Sequence, residues 1–267
     1  MTWMNSSVVS GSSSPMSIFD NVYRFFQNLK SGTEHLCYGR PILRKWALSA
    51  TRPACSTRIL DLGCGLGDDL AGIAASTANP VELLGVEGWT PYRETCASKG
   101  ITTVDLDIER DALPFADASF DVVMANQVLE HAKDLFWILG EVSRVLKPGG
   151  LFLVGVPNMA TWHDRLLLVL GHQPSSNKVL GPHVRGFTIP GFSRFATTDG
   201  HFTLEAIDGS GFYPFPEGLA KLLARIFPSL ATGIFFRLRR TSQPGCFLEV
   251  LKARRFETSY YRGPSAT

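Results

Sequence analysis

The sequence predicts an α/β protein: a Rossmann-like three-layer α/β/α sandwich around a mostly parallel, seven-stranded sheet. Two observations carry that expectation. Short apolar runs alternate with segments of helical period from residue 58 to residue 156, as they do in a parallel sheet covered on both faces. The first apolar run also ends in Gly63-Cys64-Gly65-Leu66-Gly67, a turn in which the backbone can pass close to a ligand as strand gives way to helix.

In chain order, residues 1–16 are rich in Ser and Gly and are expected to be disordered. Ile18, Val22, Phe25, Phe26 and Leu29 recur at helical spacing, and Pro41 opens a second helix that runs to about residue 50. These two helices make residues 17–56 an N-terminal helical cap. The core, 57–158, reads as strand 58–62, helix 68–76, strand 81–86, helix 91–98, strand 101–106, strand 120–125, helix 135–146 and strand 151–156. Lys147-Pro148-Gly149-Gly150 stops the last helix. Residues 159–267 complete the same domain. They supply a helix at 161–171, a polar loop at 173–186, a short helix at 190–197 and late strands at 202–207 and 246–253, one of the late strands antiparallel. Basic amphipathic helices are expected at 218–227 and 230–238, broken at Pro228.

Composition narrows the class. In a chain of 267 residues, 45% hydrophobic against 19% charged leaves room for a full core. That balance excludes wholesale disorder, a collagen-like chain and a disulfide scaffold. The five cysteines are scattered, odd in number and without a C-x-x-C pair, so reduced thiols and a cytoplasmic location are expected. Residues 1–15 hold no Lys or Arg and no apolar run, which argues against a secretory signal. The formal net charge is +2, yet nine Lys and Arg against three Glu from Tyr213 onward give that part +6 and leave −4 for the rest. A basic end favours an anionic partner.

The chemistry centres on Ile59-Leu60-Asp61-Leu62 and the glycine turn. Glu87 follows the next strand, 20 positions after Gly67, where a Rossmann-type site uses an acid to bind two ribose hydroxyls. A dinucleotide and another adenosine cofactor both fit this much. The spacing is G-x-G-x-G, and Asp68 stands where the dinucleotide fingerprint has Gly or Ala. Asp68 and Asp69 also put negative charge where a pyrophosphate would bind. An adenosine cofactor without phosphate fits better, and S-adenosylmethionine (SAM) is one.

Further segments arrive in order: Gly85-Val86-Glu87, Asp107-Ile108-Glu109, Leu113-Pro114-Phe115, Ser119-Phe120-Asp121-Val122-Val123, Val128-Leu129-Glu130-His131, Arg144-Val145-Leu146-Lys147-Pro148-Gly149-Gly150 and Val156-Pro157-Asn158. With these, residues 57–158 resemble the class I SAM-dependent methyltransferases. The stretch from Pro157 to Leu166 and the segment His183-Val184-Arg185-Gly186-Phe187-Thr188 resemble a methionine-biosynthesis-type and glycan-cluster subgroup; quinone-type O-methyltransferases resemble the 128–131 region.

The resemblance implies that Asp61, Gly63, Gly65 and Gly67 hold the methionyl part of SAM and its loop, and that Glu87 takes the ribose. Asp107 would accept from the adenine amino group, with Ile108 beside the ring and Asn126 near the methionyl moiety or the methyl group. The implied activity is methyl transfer, most readily to oxygen, on a small-molecule or glycan- or lipid-linked acceptor, with His131 the candidate general base. Quinone-type relatives can hold a metal on an acidic–His cluster. Here Gln127 replaces a helpful carboxylate, and no metal is expected. His183 and Arg185 suit either an anionic substrate group or a loop hydrogen-bond pair. His35, Tyr38 and Arg40 suit either a lid or a plain connection.

Two other readings stay open. One is a quinone or lipid methyltransferase resting on a membrane through its basic C-terminal helices. The other is a SAM-fold regulatory partner of another enzyme, without transferase activity. Nucleic acid is not an expected partner: the chain has no N/D-P-P-Y/F stretch and no readable nucleic-acid module.

Overall fold

A computed structural model describes residues 39–53 and 55–253. The expected disorder at 1–16 and the helix around residues 18–29 lie outside the described residues. The helices begin where local chemistry favours them. Helix α1 (Arg40–Leu48) follows Gly39 at φ 63° and carries Pro41 in its first turn. Helix α2 (Asp68–Ala74) has Asp68 and Asp69 in its first turn, against the positive end of its dipole. Helix α3 (Thr90–Ser98) again has a proline in its first turn. At α4 (Leu135–Val145) the Asp134 carboxylate accepts the Trp137 N–H at 3.0 Å. The hydroxyls of Thr161 and Thr188 cap α5 (Trp162–Val169) and α6 (Ile189–Ala196) in the same way. Helices α7 (Glu217–Ile226) and α8 (Val250–Ala253) follow.

The strands are β1 (Thr57–Leu62), β2 (Val81–Val86), β3 (Thr102–Val104), β4 (Phe120–Asn126), β5 (Leu146–Pro157), β6 (Phe202–Ser210) and β7 (Gly233–Arg240). They form one seven-stranded sheet in the order β3-β2-β1-β4-β5-β7-β6. The pairings from β3 through β5 are parallel, and β7 runs antiparallel to both its neighbours. The expected fold class is present, with one antiparallel strand, but that strand is β7 and neither of the late strands expected at 202–207 and 246–253.

Alternation along the strands builds the layers. Leu60 and Leu62 of β1, Val123 and Ala125 of β4, and Phe152 and Val154 of β5 enter one core with α4, α6 and Phe247. Ile59, Val122, Met124, Leu151 and Leu153 point the other way, into a second core with α1 and α2. With both faces covered, the central strands read as continuous apolar runs.

Three expectations need correction. Residues 230–238 were read as a basic helix, but they form the 3₁₀ turn Pro228–Leu230 and then β7. The true period there is two. Ile234, Phe236 and Leu238 face the larger core and Phe235 the smaller one, while Arg237 and Arg239 pair with Glu205 of β6. Residues 246–253 were read as a strand and are helical, a 3₁₀ turn leading into α8. Phe247, Val250 and Leu251 are buried at helical spacing. The strand expected at 151–156 begins earlier, at Leu146. Residues 147–150 bulge opposite Asp121, between the pairs Phe120–Leu146 and Val122–Leu151. Gly149 sits at φ 83° in that bulge, and Lys147 Nζ reaches the Asp121 carboxylate at 2.7 Å.

Arg240 closes the far end of β7. Its side chain is buried, and its guanidinium donates to the carbonyls of Ser143, His201, Thr241, Gln243 and Gly245 at 2.8–3.3 Å. Burial lowers its pKa from the usual arginine value. Arg240→Met keeps the stem but strands those carbonyls, each of which then loses a charge-assisted donor. Urea denaturation should show a loss of about 2–4 kcal/mol. A loss below about 1 kcal/mol would mean that water replaces the guanidinium without cost.

Candidate functional site

The C-terminal ends of β1, β2 and β4 share one edge of the sheet, with Leu62 level with Val86 and Ala125. At this edge Gly63, Gly65 and Gly67 hold φ values of 63°, 54° and 73°, a region that side chains make costly. The three glycines do different jobs. A Cβ on Gly63 would lie 2.7 Å from Val128 Cγ2, and one on Gly67 2.7 Å from Ile101 Cδ1. A Cβ on Gly65 would meet nothing within 4 Å, so the turn has an open inner wall at that residue.

Glu87 holds the turn. One carboxylate oxygen accepts the Gly65 N–H at 2.9 Å and the other accepts the Trp89 N–H at 2.9 Å. A carboxylate has about four acceptor positions, so each oxygen keeps one for a ligand hydroxyl. The Cys96 thiol donates to the Gly65 carbonyl at 3.3 Å, tying the turn to α3. Buried Cys64 fits because residue 85 is glycine; a Cβ there would lie 2.4 Å from its sulfur.

Charge gathers at the start of α2. Asp61 at the end of β1 is 2% exposed. Burial, with Asp69 adding to it, holds its carboxyl well above the usual carboxylate range, and only Arg40 pulls the other way. Arg40 pairs with Asp68 at 3.2 Å and with Asp69 at 3.6 Å. Lys99 Nζ reaches Asp68 at 2.7 Å and lowers its pKa. The two acids expected to repel a phosphate are therefore largely neutralised by two cations. Asn126 Nδ2 donates to Asp69 at 3.0 Å. Its Oδ1 is buried without a hydrogen-bond partner among the described residues, and Gly155 leaves room for it. The sequence pointed to Arg40 only as one of several lid or loop residues and gave no sign of Lys99. His35 and Tyr38 lie outside the described residues.

Three acids follow β3. Asp105 is engaged by Arg93 at 2.9 Å, and Glu109 accepts the N–H groups of Lys133 and Asp134. Asp107 is exposed, accepts the Glu109 N–H at 2.9 Å, and has Arg110 at 3.8 Å. Ile108 packs on the larger core.

Beyond β4, the turn Leu129–His131 carries a second group. Glu130 has a side chain 2% exposed. Burial pushes its carboxyl up to about 7, and its Oε2 has no hydrogen-bond partner among the described residues. The Glu130 carbonyl accepts the N–H groups of Val184 and Arg185, which clasps the 173–186 loop to this turn. His131, half-exposed, places Nε2 4.0 Å from Glu130 Oε1. Its ring meets that of His183 edge-on, with centroids 4.9 Å apart. One ligand atom from each of Glu130, His131 and His183 lies within 4.8 Å of the others. The 128–131 motif joins Glu130 to His131 but carries no sign of His183, since no local spacing links positions 52 residues apart. Arg185 donates to the Lys133 carbonyl, which supports the loop-stabilising alternative for that residue.

Known proteins extend this geometry. Residues 60–154 match a family profile described as a methyltransferase domain. The O-methyltransferase rstn1 of Aspergillus nomiae is 33% identical over 160 residues, which cover 54% of this chain and 69% of that protein. The chain belongs to the class I SAM-dependent methyltransferases. The 27-O-demethylrifamycin SV methyltransferase of Amycolatopsis mediterranei is 34% identical over 105 residues, covering 37% of this chain and 38% of that one. The chain spans only about a third of the length of several such relatives. The fold is also that of the Burkholderia thailandensis 1,6-didemethyltoxoflavin-N1-methyltransferase, solved with bound 1,6-didemethyltoxoflavin and S-adenosylhomocysteine. Its TM-score is 0.52 at 16% identity, over 86% of this chain and 94% of that one. SAM is the methyl donor of this family.

In this methyltransferase fold the glycines should separate by stability. Gly65→Ala brings only left-handed strain, about 1–2 kcal/mol. Gly63→Ala adds the encounter with Val128 and should cost at least about 1 kcal/mol more. Thermal denaturation of the two variants reads the difference; equal losses would contradict the open wall at Gly65.

Proposed function

We propose that the protein transfers the methyl group of SAM to an oxygen of a small-molecule or glycan- or lipid-linked acceptor. The observation that carries this reading is the open wall at Gly65 beside a carboxylate that already holds the turn. In this reading Glu87 takes the ribose hydroxyls on its remaining acceptor positions. Asp107 accepts from the adenine amino group, and Ile108 lies beside the ring. Gly63, Gly65 and Gly67 let the methionyl part approach the backbone. Asp61, a buried carboxyl with an acidic neighbour, favours the cationic end of the cofactor. Asn126 offers its buried Oδ1 on the same side.

SAM supplies a methyl group on a sulfonium, which an acceptor oxygen displaces in line as the sulfur keeps the bonding pair. The protein's part is to align the acceptor, exclude water and receive its proton. His131 suits the last task. Its Nδ1 lies 3.2 Å from the Pro182 carbonyl. A carbonyl only accepts, so Nδ1 carries the hydrogen and the neutral ring has its lone pair on Nε2.

Calorimetry with SAM and S-adenosylhomocysteine tests the cofactor assignment. Glu87→Ala should weaken binding roughly ten- to a hundredfold, the loss of hydrogen bonds to a carboxylate. Failure of the wild-type protein to bind either ligand would sink the reading and return the regulatory-partner alternative.

An apolar face favours a membrane-surface acceptor as a second reading. Phe215, Leu219, Leu222, Ile226 and Phe227 are exposed along α7 and its ends, while Ala220 and Ala224 pack inward. Arg225 and Lys221 flank this stripe, Lys221 pairing with Glu217. The helix joins β6 to β7 at Ser210 and Gly233, the edge where β5 ends at Pro157. Among the described residues helix α7 would make this contact, since the second expected basic helix is a strand whose arginines are engaged with Glu205 and backbone carbonyls. Cosedimentation with phosphatidylglycerol vesicles should exceed that with phosphatidylcholine and fall at least fivefold in Leu222→Glu/Ile226→Glu. No difference between wild type and variant would leave a soluble acceptor.

A further inference from the structure

We propose that Glu130, His131 and His183 form a divalent-metal site of two imidazoles and one carboxylate, open on its outer side. Three observations lead there. The first is convergence: one ligand atom from each residue lies within 4.8 Å of the others. Ligands about 2.1 Å from one ion stand about 3–3.5 Å apart, so small side-chain rotations close the set. The second is the carboxylate. Glu130 is almost fully buried beside the histidines, and its Oε2 has no hydrogen-bond partner among the described residues. A buried oxygen left this way is costly unless something binds it.

The third is the tautomer of both rings. His131 Nδ1 faces the Pro182 carbonyl at 3.2 Å, and His183 Nδ1 faces the Ser176 carbonyl at 2.6 Å. Each Nδ1 must therefore donate, which puts the lone pair of each neutral ring on Nε2. Histidines that bind metals are oriented in this way, one nitrogen donating to the backbone and the other coordinating. The backbone bonds from Val184 and Arg185 to the Glu130 carbonyl fix the spacing between the two segments.

The donor set suggests the ion. Two imidazoles with one carboxylate suit Zn²⁺, Mn²⁺, Fe²⁺ or Co²⁺ rather than Mg²⁺ or Ca²⁺, which prefer oxygen. The set also explains how the site forms without a carboxylate at Gln127: an imidazole from a distant loop takes the third place. The site lies just past the end of β4, a few residues after Asn126. There a cation with open positions would bind an acceptor oxygen and lower the pKa of its hydroxyl. His131 Nε2 would then be a ligand and not the base. This role rests on the methyl-transfer reading; the binding of metal does not.

The test is titration of the purified, metal-stripped protein with Co²⁺, followed by visible d–d absorption, with Zn²⁺ as competitor. One Co²⁺ per chain should give ligand-field bands that Zn²⁺ abolishes. His183→Ala and Glu130→Gln should each weaken Co²⁺ at least tenfold. Should His183→Ala lose its circular-dichroism signature of folding, Glu130→Gln, which keeps the side chain's shape, decides alone. Absence of the bands at saturating Co²⁺, or equal affinity in wild type and Glu130→Gln, overturns the site. SAM calorimetry on the same samples separates the two readings. Co²⁺ binding without SAM binding keeps the metal site and sinks methyl transfer, while SAM binding without Co²⁺ does the reverse.

Discussion

Five residues, Gly63 to Gly67, carry the chain from β1 into α2 with three left-handed φ values, and the candidate site is arranged around them. Such a turn is unfavourable for any residue with a side chain. It persists because it is tied at several points: Glu87 to the Gly65 N–H, Cys96 to the Gly65 carbonyl, and the Cys64 N–H to the Val86 carbonyl at 3.0 Å. These ties come from β2 and α3, so the parallel pairing of β1 with β2 is what brings Glu87 within reach. A one-residue slip between those strands would invert Asp61 relative to the sheet and remove the Glu87 contact together.

The charge at the head of α2 obeys a related constraint. Asp61, Asp68 and Asp69 crowd the positive end of a short helix, and Arg40 and Lys99 balance them from two other elements. Surface pairs of this kind contribute little to stability singly. Their consequence is positional. They bring α1 against α2, and through Asp69 they orient Asn126 on β4. Asp61 lies behind this layer, buried, its carboxyl held above the usual range by burial and Asp69 and drawn down only by Arg40.

The sheet and its cofactor edge were legible in the sequence because their signals are local. Strand, glycine turn and helix follow one another within about a dozen residues, and Glu87 and Asp107 arrive at the strand ends that the parallel topology dictates. The late elements were not legible in this way. In Gly233–Arg240 the arginines at 237, 239 and 240 imitate the polar face of a helix, and only their pairing with Glu205 on β6 and the burial of Arg240 reveal a period of two. In the stretch at 246–253 the apolar content suggested a strand, while the i, i+3, i+4 burial of Phe247, Val250 and Leu251 is helical. Both errors come from short segments whose period is decided by tertiary partners.

The acceptor side differs from the cofactor side for the same reason. The groups proposed for it come from separate stretches: Glu130 and His131 after β4, His183 from the 173–186 loop, and the exposed face of α7 between β6 and β7. No fixed spacing relates them, so they can vary in type and position without disturbing the turn that would hold SAM. That independence fits a family profile that matches residues 60–154 and stops short of the 173–186 loop and α7. In the proposed metal site, Gln127 sits at φ 58° in a tight connection after β4, and a loop held by two backbone hydrogen bonds to Glu130 would supply His183 as the third ligand. A site assembled across such a clasp depends on the loop staying closed. In the proposed site, acceptor chemistry would depend on the backbone contacts of residues 182–185 as much as on the side chains they carry.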